Sequence, residues 1–90
     1  MARIQVNPEE LRAVAAQFRK SSEESNAMVQ TLSTAVRNLD NNWDGLSSEK
    51  FYQDFEQWRQ EMIHFVAVLD QIHQQLMAIA QRFEEADRPA

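Results

Sequence analysis

The sequence predicts an all-α protein: an antiparallel two-helix hairpin that dimerises into a four-helix bundle. Three observations carry this. Apolar residues recur in steps of three and four along nearly the whole chain, the single glycine, Gly45, falls midway, and the two prolines, Pro8 and Pro89, stand at the ends. Ninety residues have room for one domain and one core.

Helix one is expected over about 8–40. Asn7 is a good N-cap, Pro8 suits the first helical position, and Glu9 and Glu10 favour the positive end of the helix dipole, with Glu10 completing an approximate capping box. The stripe that follows is Leu11, Val14, Phe18, Ser21, Ser25, Met28, Leu32, Ala35 and Leu39. A turn is expected over about 41–46. Asp40-Asn41-Asn42 ends the helix, and in Trp43-Asp44-Gly45 the glycine alone accepts a positive φ cheaply. Helix two, about 47–86, is capped by Ser47 or Ser48, with Glu49 in its first turn. It carries Phe51, Phe55, Trp58, Met62, Phe65, Leu69, Ile72, Leu76, Ile79 and Phe83, a heptad pattern no strand would show. The short tail beyond it ends at Pro89, which cannot continue a helix.

A short loop forces the two helices antiparallel, so the two stripes are expected to face each other as the seam. With the turn centred near Asp44, facing residues have numbers that add to about 88, which sets Phe65 beside Ser21 and Ser25. Two helices cover only one side of each other. Beside the main stripes run a flank of Ala15, Val29 and Val36 on helix one and another of Tyr52, Ile63, Val66, His73, Met77 and Ala80 on helix two. Left wet, this flank would be a sizeable apolar patch, so Ile63, Val66 and Met77 are expected to form the interface of a homodimer. The Gln-rich face of helix two (Gln53, Gln60, Gln74, Gln81) reads as solvent-facing.

Composition excludes several function classes. A net charge of -5 with nine scattered basic residues offers no phosphate-binding footprint, so no nucleic acid is expected. The absence of cysteine removes disulfides and thiolate metal sites. No apolar run reaches the roughly 18 residues of a membrane span, and Met1 to Val6 lack the apolar core of a cleavable signal peptide, so any export is expected to use another signal. A Gln-rich, acidic helix two also disfavours stable insertion into an anionic bilayer.

The chemistry-bearing residues point away from catalysis. Glu61-x-x-His64 and Asp70-x-x-His73 have the carboxylate and His spacing of di-iron bundles, but in the heptad frame they do not converge on an interior, so no metal is expected. No nucleophile stands in a recognisable arrangement with a His and a carboxylate, and a single glycine cannot build a phosphate loop. The expectation is no enzyme, no catalytic residue and no cofactor. Trp43 has two readings: a hydrophobic lid over the turn end of the hairpin near Leu39, Leu46 and Phe51, or a recognition feature.

Trp43-Asp44-Gly45 at the centre of two heptad helices, in a cysteine-free chain of this length, resembles the WxG family of about hundred-residue ESAT-like proteins across essentially the whole chain. The resemblance implies a non-enzymatic substrate of the type VII secretion systems of Gram-positive bacteria and actinobacteria. Such a protein passes from the cytoplasm to the outside as a folded dimer with itself or a paralogous partner, through a membrane ATPase and translocon. It acts there as secreted effector, co-secretion partner or pathway component. It also implies a composite recognition surface, with Trp43 and Gly45 of the turn near a C-terminal export signal. The family signal is Tyr followed four residues later by an acid; here Phe83 and Asp87 occupy those places, with Phe where Tyr is usual. The alternative function is a cytoplasmic helical adaptor docking onto a larger partner.

Overall fold

The computed structural model describes residues 7–39, 43 and 45–87. Two helices, α1 (Pro8–Leu39) and α2 (Leu46–Asp87), pack against each other as an antiparallel hairpin measuring 69 × 24 × 19 Å. Asp40, Asn41, Asn42, Asp44, the first six residues and the last three lie outside the described residues, as do the side chains of Leu46, Ser47 and Asp87.

The ends of the helices are set locally. At the start of α1, Asn7 Oδ1 accepts from the Glu10 backbone N–H at 2.7 Å, and the Asn7 amide donates to Glu10 Oε1 at 3.2 Å. The Asn7 carbonyl takes the first helical hydrogen bond, from Leu11 N–H at 3.2 Å. This is a reciprocal cap that satisfies one of the four orphan amides of the first turn. At the start of α2 the cap differs from the serine expected. Gly45 is the N-cap, with φ of +118°, and its carbonyl accepts from the N–H groups of Ser48 and Glu49. The Ser48 hydroxyl turns back and donates to that same carbonyl at 2.6 Å. Glycine is an acceptable N-cap and is the residue that tolerates this φ, so the helix begins before the serines rather than at them.

The seam keeps the predicted register but is turned toward the flanking stripe: on α1 it centres on Ala15, Ser22 and Val29, while on α2 it takes Ala80 from the flank and keeps Leu69 of the expected stripe. Ser22 Oγ donates to the Val66 carbonyl at 3.4 Å, and His73 Nδ1 lies 2.8 Å from the Ala15 carbonyl. Both pairs have numbers that add to 88, as a turn centred at residue 44 requires. The residues buried between the helices, however, are Ala15, Ser22 and Val29 of α1 with Leu69 and Ala80 of α2, and Ser48 near the turn. Val14, Met28, Leu32 and Leu39, expected in the seam, stay exposed, as do Trp58, Phe65 and Phe83. Phe65 is therefore not a knob set into Ser21 and Ser25.

The physical reason is size. Positions 15, 22, 29 and 36 of α1, and 66, 73 and 80 of α2, are each seven apart and hold Ala, Ser, Val, Val and Val, His, Ala. The small side chains of Ala15, Ser22 and Ala80 let the two backbones approach at those levels, and close approach gains dispersion contacts. The bulky stripe would hold the helices apart. At about 100° per residue it lies roughly a quarter turn away, on the numerically preceding position (14 before 15, 28 before 29, 65 before 66).

Candidate functional site

Because the exposed stripe precedes the seam by one position on both helices, the approximate twofold axis of the hairpin carries one stripe onto the other on the same side. The result is one long apolar edge: Val14, Met28, Leu32 and Leu39 from α1, and Trp58, Phe65 and Phe83 from α2. The opposite edge is polar. There Arg12 pairs with Glu84, and Arg19 donates to Asp70 at 2.6 Å and to Glu23 at 3.0 Å. The hydrogen bonds that the arginines donate to these carboxylates raise both guanidinium pKa values above the usual one. Both cross-helix ion pairs among the described residues are on this edge.

The residues expected at a dimer interface are split by this arrangement. Ile63 and Met77 are exposed, at 42% and 38%, and helix periodicity sets them on the ion-paired edge. Val66 is half-buried, with its carbonyl in the seam facing Ser22. The exposed apolar edge lies on the other side, and none of its positions is among the three expected at the interface. A signal for it is present in the sequence: Ala15, Ser22, Val29 and Val36 recur every seven residues beside the bulkier stripe and mark the α1 side of the seam.

At the turn, Trp43 is half-buried and packs on Phe51 and Tyr52, with ring centroids 5.3 and 6.0 Å away. Phe51 continues the cluster to Phe55, stacked at 6.3 Å, and to Trp58, edge-on at 6.3 Å. Aromatic pairs at such separations each contribute about 0.5–1.5 kcal/mol beyond their burial. The indole thus touches residues on both sides of α2 and closes the turn end of the hairpin, the lid of the first reading, while part of it faces solvent. Gly45 is exposed, and a Cβ there would meet nothing within 4 Å. Its demand is purely one of backbone conformation.

At the other end of the molecule, Phe83 is 45% exposed on the apolar edge and borders a shallow hollow with Ile79, Arg82 and Ala86. Asp87 is the last residue of α2, its side chain outside the described set. The turn and the α2 C-terminus are at opposite ends of one hairpin, so within one chain Trp43 and Phe83 do not meet.

Of the remaining candidate residues, Asp70 and His73 have structural partners. Asp70 holds Arg19. The contact of His73 with a carbonyl requires the proton on Nδ1, which makes this histidine a seam donor rather than a ligand through that nitrogen. Glu61 and His64 are exposed. Among the described residues no group of three or more His, Asp or Glu side chains is placed to hold a metal ion, and no helix is long and apolar enough to cross a membrane.

This hairpin, with its central Trp-x-Gly turn, matches known proteins along nearly its full length. The chain is 36% identical over 85 residues to protein YukE of Bacillus subtilis, an alignment covering 94% of this chain and 88% of that one. It is 30% identical over 88 residues to type VII secretion system extracellular protein A of Staphylococcus aureus, covering 98% and 91% respectively. Among solved structures, the secreted protein EsxB of Bacillus anthracis superposes with a TM-score of 0.86 at 31% identity, covering 98% of this chain and all of that one. The family described as proteins of 100 residues with WXG matches residues 3–88, and the chain belongs to that family, WXG100.

Proposed function

We propose that this chain is a non-enzymatic substrate of a type VII secretion system, exported as a folded helical dimer. The observation that carries the reading is the end-to-end match to a Staphylococcus aureus protein named for its extracellular place in that system. The exposed apolar edge supports the dimer. A monomer leaving Val14, Met28, Leu32, Trp58 and Phe65 in water would expose a continuous hydrophobic stripe, and a second copy covers it most simply as a four-helix bundle. In this reading the dimer closes through that edge, with Ile63 and Met77 at its periphery or outside it.

Recognition by the secretion ATPase is assigned to Trp43 and Gly45 of one protomer and to Phe83 and Asp87 of the other, since an antiparallel arrangement of two hairpins brings the turn of one close to the C-terminus of its partner. The partly open indole of Trp43 and the exposed ring of Phe83 are both accessible to a binding protein. Nothing in this assignment asks the chain to carry out a reaction.

The test is export from a bacterium with an intact type VII system. The tagged chain should appear in the culture medium without cell lysis and remain inside cells lacking the ATPase. Asp87→Ala should accumulate inside the cell as a folded dimer, whereas Glu85→Ala, an exposed control, should be exported normally. Trp43→Phe retains a ring for Phe51 and Tyr52, so it separates packing from recognition: a stable protein that is poorly exported supports recognition. Retention of the unaltered chain in cells with a working system would overturn the reading and favour an adaptor that stays in the cytoplasm.

A further inference from the structure

The ion-paired edge is not uniform along its length. Toward the open end of the hairpin it is closed by Arg12 with Glu84 and Arg19 with Asp70. Toward the turn it opens into a groove of about 670 Å³ between α1 and α2. Its floor is Val29, Val36, Tyr52 and Phe55, and Ile63 stands at its end, 42% exposed. The arginines that could bridge it instead lie along their own helices. Arg59 donates to Glu56 at 2.9 and 2.6 Å, and Arg37 reaches Thr34 on its own helix, at 3.5 Å. Neither side chain crosses over, so the apolar floor stays open, with a guanidinium on each wall.

We infer that this groove is a docking site for an amphipathic helix of another protein, about three turns long, bearing aliphatic side chains and a carboxylate at its margin. The form of the occupant follows from the walls. Both are helices whose backbone groups are already hydrogen-bonded internally, so an extended peptide would find no ladder to join, whereas a helix sets its side chains between theirs. The length follows from the lining, since Asn26 to Arg37 spans about 16 Å of α1 at 1.5 Å per residue. Charge sets the sign. Glu56 neutralises Arg59, and Arg37 has no carboxylate partner among the described residues, so the groove carries about one net positive charge in a chain whose total is -5. A basic helix would be repelled there and an acidic one drawn in. The site lies on the edge away from Phe65 and Trp58, so it stays open when the apolar edge is covered by a second copy, and it does not depend on the export reading.

The experiment uses the full chain, isotopically labelled, titrated with two synthetic helical peptides of three to four turns. Both carry leucine at i, i+4 and i+7, and they differ only in having glutamate or lysine at the margin. The glutamate peptide should shift the amide resonances of Val29, Val36 and Ile63 and bind about three to ten times more tightly than the lysine peptide, the span expected for one rim charge. Arg37→Glu should reverse that order. Ile63→Glu, a change at an exposed position, should abolish binding while leaving helicity and the mass in solution unchanged. Absence of shifts at saturating peptide, shifts confined to the Phe65 edge, or equal affinity for the two peptides would overturn the proposal. So would a fall in mass on Ile63→Glu, which would place a second copy in the groove.

Discussion

The two long edges of this hairpin are built from the same helices and differ in what finishes them. On one, Arg12 reaches Glu84 and Arg19 reaches Asp70, so charged side chains bridge the helices and their stems cover the seam. On the other, Val14, Met28, Leu32, Leu39, Trp58, Phe65 and Phe83 stand exposed with no cross-helix ion pair among the described residues. The first edge is bridged within one chain toward the open end of the hairpin; the second has no such bridge and is covered only by something apolar from outside. Hydrophobic residues in a small hairpin are thus divided between holding it together and facing outward, where a partner can cover them. Ala15, Ser22 and Ala80 go inward with Val29 and Leu69, while the rings of Trp58, Phe65 and Phe83 go outward.

The largest expected effect comes from charging the apolar edge. Phe65→Glu would bury an uncompensated carboxylate in the proposed dimer interface, costing about 3–5 kcal/mol of association, enough to turn dimer into monomer at micromolar concentration. Met77→Glu, on the ion-paired edge, should leave the mass unchanged. Sedimentation of the two variants side by side checks this, and the opposite pattern would exchange the roles of the two edges.

A smaller effect is expected from crowding the seam between them. Ala15 and Ala80 are fully buried, so Ala80→Leu forces side chains into a space sized for a methyl group and should cost about 1–3 kcal/mol. In a domain of this size each kcal/mol lowers the melting temperature by about 4–8 °C. A melting temperature unchanged by Ala80→Leu would mean that the helices are not held by a small-residue ridge. The turn that sets the register responds on a similar scale. Gly45→Val places a β-branched residue at φ of +118° and should cost about 1–3 kcal/mol from the backbone alone, because space for the side chain is available. Gly45→Asn, which tolerates positive φ better, should recover part of that loss in the same thermal scan.

The smallest effects belong to the ion-paired edge itself. Arg19→Ala removes a pair whose members are 52% and 31% exposed, and should cost less than about 1 kcal/mol, fading in high salt. The pH dependence is equally slight. The hydrogen bond from Arg59, helped by Gln60, lowers the Glu56 carboxyl from its ordinary value to about 2. A group whose folded pKa is depressed stabilises fully above its unfolded value and loses that contribution as the pH falls through the folded one, here between about 4.5 and 2. Both partners lie on α2 and Glu56 is exposed, so the effect is small: Glu56→Gln should lower stability slightly at neutral pH and flatten the acid limb in that window, the two profiles converging as the pH falls toward about 2.

Much of the fold was legible in the residues. Asn7 with Glu10 announced the start of α1, Gly45 announced the turn, and steps of three and four announced two helices, because capping and conformational preference act within a few residues of chain. A turn near residue 44 then set which residues sit level, and Ser22 opposite Val66 and Ala15 opposite His73 obey it. The lid position of Trp43 against Phe51 was also within reach of local reasoning. The face was not. Each helix carries two apolar stripes about 100° apart, and periodicity rates both as core without ranking them.

What the sequence by itself determined was therefore one-dimensional: where each helix begins and ends, which way the chain reverses, and which residues are level across the turn. What only the tertiary structure decided was rotational, namely which stripe each helix turns toward the other. That choice is a contest between apolar surfaces of different shape, settled by how closely two backbones can approach when Ala15, Ser22, Val29 and Ala80 lie between them. Distance between helices is a property of the packed pair and is encoded at no single position, so the rings of Trp58 and Phe65 are left facing outward by an agreement among small residues elsewhere.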